Sequence, residues 1–127
     1  MTELKPLKKP EITHSQLVRY AGASGDFNPI HTVVPIGEAA GLGGVIAHGM
    51  LVMGMAGEAL ADWFPRKNLR KFKVRFNKMT RPGEKLTIEG KAIGETMEGN
   101  EKRLIGEVSV KNDAGELKLK GEFQVKF

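Results

Sequence analysis

A change of hydrophobic period at Pro65 constrains this chain more than any other feature. Ahead of it, Gly49 to Phe64 is the most apolar stretch, with Met50, Leu51, Met53, Ala56, Leu60, Ala61 and Phe64 at helical spacing. Little polar surface is left around it, and a helix apolar nearly all round is a buried helix. Behind Pro65 the period falls to two. Phe72, Val74 and Phe76 alternate with Lys71, Lys73 and Arg75, which predicts a half-buried strand with one wholly basic face. Arg81-Pro82-Gly83 places proline second and glycine third in a turn. Leu86 opens a second strand, residues from about Arg103 to Lys111 form a third, and Glu116 to Phe127 form a fourth after a turn at Asn112 to Gly115. One buried helix ahead of four antiparallel strands is an α+β order. A sheet curled around one helix leaves its edges open, so a dimer is expected.

The residues before the helix are less regular. Pro6, Pro10 and the Lys8–Lys9 pair mark residues 1 to 12 as an extended lead-in. Thr13 with Gln16 resembles a capping box for a short helix through Leu17, Val18 and Tyr20, stopped by Gly22 and Gly25. Pro29 and Pro35 restrict Asn28 and Val34 to extended geometry, so Asp26 to Val34 is read as irregular. Residues 36 to 48 carry Gly37, Gly41, Gly43 and Gly44 and read as a weak helix mixed with loop.

At 127 residues the chain is read as a single domain, 1 to 127, large enough to bury a core without staples. The lack of cysteine removes disulfides, thiolate zinc sites, iron–sulfur clusters and thiol nucleophiles, and suits a reducing compartment. No stretch approaches a membrane span, and the first 12 residues lack a signal peptide's apolar run. The expectation is a soluble, cytoplasmic protein with no membrane insertion. The net charge is +5, yet the window from Arg66 to Arg81 alone holds +8 and no acid, which leaves the remainder at −3. Such a strip is either aimed at an anion or a heavily solvated face.

Chemistry-bearing residues are densest between Tyr20 and His31. Asp26 and His31 stand five apart across Pro29, so a fixed loop has to align them. Near neutral pH an ordinary aspartate is ionised and an ordinary histidine mostly neutral, and both can accept a proton from one water. The plainer reading is a turn-capping Asp26 and a hydrogen-bonded loop histidine.

The segment Tyr20…Ser24-Gly25-Asp26-Phe27-Asn28-Pro29-Ile30-His31 resembles the motif of the R-specific enoyl-CoA hydratases and the wider MaoC-like dehydratases. Ala47-His48-Gly49-Met50 resembles that family's entry to its central helix, and Arg81-Pro82-Gly83-Glu84 its turn before a strand. Thr32-Val33-Val34-Pro35, Ala23 and Gly37 depart from the pattern, and the N-terminal strand is curtailed. The resemblance implies a hot-dog fold, an antiparallel sheet wrapped around the central apolar helix. It also implies reversible syn addition of water to a trans-2-enoyl thioester, giving the (3R)-hydroxyacyl product, with Asp26 and His31 as the catalytic pair. Gly49 would offer its backbone N–H to the thioester oxygen, since it opens a helix whose first amides are free; plain packing against the sheet is the other reading.

Around that pair, Asn28 is read as fixing the loop. Tyr20, Phe27, Met50 and Met53 are acyl-channel candidates, or else core filling. His48 is read as a structural residue at the helix entrance. Lys71, Lys73 and Arg75 are candidates to dock the phosphates of CoA or an acidic acyl carrier protein. Nucleic acid is set aside, because Phe72 and Phe76 alternate to the inner face and form no stacking platform. No metal or nucleotide cofactor is expected, CoA or phosphopantetheine being part of the substrate. The partner is expected to be an identical or a related hot-dog subunit. The rival reading is a non-catalytic thioester-binding subunit that shapes the channel of an active mate.

Overall fold

The computed structural model describes residues 4–127. A two-residue strand, β1 (Leu7–Lys8), lies in the lead-in, followed by helices α1 (His14–Ser24), α2 (Val34–Ala39) and α3 (Gly49–Trp63). Four strands follow: β2 (Leu69–Phe76), β3 (Leu86–Glu98), β4 (Glu101–Asn112) and β5 (Leu117–Lys126). They form one antiparallel sheet in the order β1-β3-β4-β5-β2. The sheet therefore has five strands where the sequence suggested four, because Leu7 and Lys8 pair with Ile88 and Thr87.

Local chemistry accounts for the helix ends. Thr13 caps α1, its hydroxyl accepting from the Gln16 N–H at 3.1 Å. The helix runs past Gly22 and stops at Gly25, which adopts φ 76° as a left-handed C-cap. Val34 and Pro35 lie inside the first turn of α2, contrary to the extended geometry expected there, because a first-turn N–H has no helical partner for proline to remove. Pro65 follows the extended Phe64 and ends α3.

The core is one cluster. Val52, Met55, Ala56, Ala59 and Leu60 of α3 pack on Leu86, Ile88, Val108, Val110, Leu119, Phe123 and Val125 of the sheet. Each fully buried large side chain contributes about 1.5–3 kcal/mol. A Cβ at Gly106 would lie 2.1 Å from the Phe123 ring, so that ring needs glycine beneath it. Burial of α3 is one-sided, which corrects the expectation of a helix enclosed all round. Met50, Gly54, Glu58 and Asp62 form an exposed stripe, since one sheet covers only one side of a helix. Among the described residues no helix is long and apolar enough to cross a membrane.

Candidate functional site

Three consecutive side-chain turns shape the loop after α1. The Ser24 hydroxyl accepts from the Asp26 N–H, the Asp26 carboxylate from the Asn28 N–H, and the Asn28 side-chain oxygen from the Ile30 N–H, each at 3.1–3.2 Å. Short polar side chains bonding to amides two residues ahead are what Asp and Asn do in turns. They leave Pro29–His31 as a single 3₁₀ turn with His31 at its end. The Asn28 side chain is thus bonded within the loop.

His31 is buried and tied to the body of the protein. Its Nδ1–H donates to the Ile46 carbonyl at 2.8 Å, while the Ile46 N–H donates to the Ile30 carbonyl. Since a carbonyl only accepts, Nδ1 carries the proton, and in the neutral ring Nε2 presents its lone pair. That Nε2 points toward the Asp26 carboxylate, 3.9 Å from Oδ2. The carboxylate is half exposed and the imidazole is nearly enclosed, so one member meets solvent and the other the crevice behind it.

His48 completes the cluster. Its ring stacks on His31 with centroids 3.8 Å apart, and the half-buried Tyr20 packs edge-on against it at 4.8 Å. Its Nε2–H donates to the main-chain carbonyl of Asp26 at 3.1 Å. Asp26, His31 and His48 each offer one ligand atom within 4.8 Å of the others, so these are the residues that could hold a metal ion. The His31 and His48 rings are stacked with their planes 23° apart. The arrangement suits moving a proton between a carboxylate and a tautomer-locked imidazole.

A crevice of about 180 Å³ opens beside His31, bounded by Ile46, Ala47, Gly49, Val52, Phe76 and the stretch 77–80, with Lys118 behind. Gly49 opens α3, and a Cβ there would stand 3.2 Å from the Phe76 ring, so glycine keeps the passage between them clear. Tyr20, Phe27, Met50 and Met53 do not line this crevice. Tyr20 backs His48, Phe27 projects at 69% exposure, Met50 is exposed on α3, and Met53 packs against the core. A larger cavity of about 450 Å³ lies at the other end of α3 and holds neither Asp26 nor His31.

The crevice wall depends on residues that sequence reasoning passed over. Lys118 is 2% exposed, and its ammonium donates to the Met79 carbonyl at 2.8 Å, to Glu116, and pairs with Glu84 at 2.7 Å. It sits at a bulge: Val110 pairs with Leu119 and Lys111 with Leu117, leaving Lys118 unpaired and turned inward. Glu84 also accepts from the Arg81 N–H and the Asn112 amide. The turn so anchored presents the Thr80 carbonyl to the Ala47 N–H at 2.7 Å, next to the Ile46 that orients His31. No local signal marks it, because a lysine between Leu117 and Leu119 has the parity of the strand's outward face.

Lys71, Lys73 and Arg75 do project together, on the face of β2 opposite the core-packed Phe72 and Val74. The sequence window is free of acids, but the folded surface is not. Lys73 is registered with Glu122 on β5, which in turn faces Glu107 on β4. Lys78 of the same basic window lines the crevice.

The family model described as MaoC-like domain matches residues 2–114. The chain is 42% identical over 78 residues to the fatty acid synthase beta subunit pkiC of Emericella nidulans, covering 59% of this chain and 4% of that protein. It is 30% identical over 86 residues to the probable enoyl-CoA hydratase 2 of Dictyostelium discoideum, covering 65% of this chain and 29% of that one. The chain therefore spans less than a third of either relative. The solved (R)-hydratase from A. caviae involved in PHA biosynthesis superposes with a TM-score of 0.83 at 22% identity, over 97% of this chain and 92% of that one, which gives the hot-dog fold.

Proposed function

The chain belongs to the MaoC-like domain family, and on that premise we propose that it is a hydro-lyase interconverting trans-2-enoyl and (3R)-3-hydroxyacyl thioesters. The observation that carries the reading is the 3.9 Å separation of the His31 Nε2 and the Asp26 Oδ2, with the imidazole tautomer set by Ile46. A water held between them loses a proton to the pair as its oxygen bonds to C3. A proton from the pair reaches C2 on the same face, so the dyad ends as it began. Asp26 and His31 act as one coupled unit. Electron density moves onto the thioester oxygen, and the Gly49 N–H, first in α3, is the donor proposed to meet it. These steps ask for no metal or nucleotide; CoA or phosphopantetheine arrives with the substrate.

The proposed assembly is a dimer with an identical or related hot-dog subunit. It is supported by the open edge of β2 and by the exposed stripe on α3 that includes Met50. Light scattering at micromolar concentration is expected to give twice the chain mass; a folded, active monomer would refute it. The lack of cysteine suits a cytoplasmic setting.

The test of function is loss of enoyl absorbance with crotonyl-CoA and with a longer enoyl-CoA, followed by stereochemical analysis of the product. A (3R)-hydroxyacyl product is expected. A folded protein that binds both thioesters and turns over neither would establish the non-catalytic subunit instead.

A further inference from the structure

We propose that His48 is a positioning residue for the Asp26–His31 pair, holding one by its main chain and the other by its ring. The inference rests on the reading of that pair as the reacting groups. His48 is 1% exposed, so it is enclosed behind the pair, whereas the Asp26 carboxylate is half exposed. His48 nonetheless touches both members. The Nε2–H bond to the Asp26 carbonyl sets the height of the loop that carries the carboxylate. The stacked face fixes the plane of His31, whose other restraint is the single Nδ1 bond to Ile46, about which a ring can still rock. Tyr20 presses edge-on against His48 and keeps its ring in place.

One atom distinguishes this arrangement from ordinary core packing. The Nδ1 of His48 is buried and has no hydrogen-bond partner among the described residues. An orphaned polar atom costs stability, and an apolar ring of similar shape would remove that cost. A residue there for packing alone would be better served by phenylalanine. What histidine adds is the Nε2–H toward Asp26.

Two variants separate the two contacts. His48→Phe keeps a ring against His31, removes the orphaned nitrogen and releases the Asp26 carbonyl. His48→Gln keeps an amide N–H within reach of that carbonyl and removes the ring. For His48→Phe the expected outcome is a melting temperature equal to or above the parent's, with kcat for crotonyl-CoA down about tenfold and KM within twofold. Misplacing a reacting group by a fraction of an ångström has effects of that order. His48→Gln should restore part of kcat relative to His48→Ala. Readouts independent of turnover are amide exchange at His31, whose N–H closes the loop onto Asn28, and the ring-proton shifts of His31. Exchange should quicken in His48→Phe and stay slow in His48→Gln, whereas the ring-current shift should vanish only in His48→Gln. Parent-like exchange and shifts in both variants would overturn the positioning role, as would kcat loss that merely tracks lost stability. A parent protein with no hydratase turnover would refute the functional reading alone, because the exchange and shift measurements still decide what His48 holds.

Discussion

The Nε2 of His31 stands 3.9 Å from the Oδ2 of Asp26, too far for a direct hydrogen bond and close enough for one water to touch both. A gap of this size would let the pair share the water that the proposed reaction requires. Asp26→Asn keeps the shape and the turn to Asn28 but surrenders the carboxylate charge, and His31→Ala opens the partner's side. Each is expected to lower kcat by about 10² or more, with circular dichroism unchanged. Near-parental turnover of every enoyl thioester by either folded variant would remove the pair from the chemistry.

Gly49 is expected to tolerate no side chain without loss of activity. A Cβ there meets the Phe76 ring at 3.2 Å, so that ring, which stands at the crevice wall, has to give by a few tenths of an ångström. Gly49→Ala retains the backbone N–H and should fold, while lowering kcat/KM about tenfold through the narrowed approach. Pairing it with Phe76→Ala should recover most of that loss. If Gly49→Ala alone behaves as the parent does, close approach at this glycine plays no part.

Acid should loosen the crevice wall. Burial pushes the Glu84 carboxyl up, but the Lys118 ammonium, the Arg81 N–H and the Asn112 amide outweigh it and hold it below the usual glutamate range. A carboxyl lowered in the folded state contributes stability that is full above its unfolded value, about 4.3, and is lost as pH falls through the folded value. Melting temperature should therefore drop on acidification from about pH 5 to pH 3, and less steeply in Glu84→Gln. The slope left over comes in part from the surface carboxyl of Glu101, lowered by Arg70 and Arg103. At neutral pH, Lys118→Met should cost about 2 kcal/mol by leaving Glu84 and the Met79 carbonyl short of a partner. Melting curves of Glu84→Gln and the parent that run parallel with pH would show the ion pair to be inert.

The sequence made local structure legible and left its tertiary bonds out of sight. Thr13, Gly25 and Pro65 mark helix ends because caps act within a few residues. Asp26, Asn28 and Pro29 announce a fixed loop for the same reason. The bond from His31 to Ile46 spans fifteen positions and has no local trace. Lys118 has the parity of the outward-facing Lys120 and Glu122, and only the bulge opposite Val110 and Lys111 turns it inward. Period counting carries no information about where a ladder slips. The acid-free basic window is likewise a property of one strand, whereas Glu122 and Glu107 reach that surface from its neighbours.

Those neighbouring acids decide how the anionic end of the substrate should be sought. On the outer face of β2, Lys73 is registered with Glu122, and Lys120 lies 3.8 Å from Glu107, so the local field is mixed. Lys78 differs: it is exposed, it follows the end of β2, and it lines the crevice with His31 and Gly49, where no acid among the described residues contributes to the wall. Lys78 is therefore the cation of the basic window to test against Lys71, Lys73 and Arg75 as the contact for the substrate's phosphates. Such a contact strengthens binding without touching the reacting atoms, so it belongs in KM and should fade with salt. Lys78→Glu is expected to raise KM for crotonyl-CoA several-fold with kcat nearly unchanged, and to do so more than Lys73→Glu combined with Arg75→Glu. A pantetheine thioester, which lacks the nucleotide phosphates, should be indifferent to all three changes. A larger KM effect from the Lys73 and Arg75 pair would move the docking to the outer strip, and equal losses on both thioesters would mark the effect as structural.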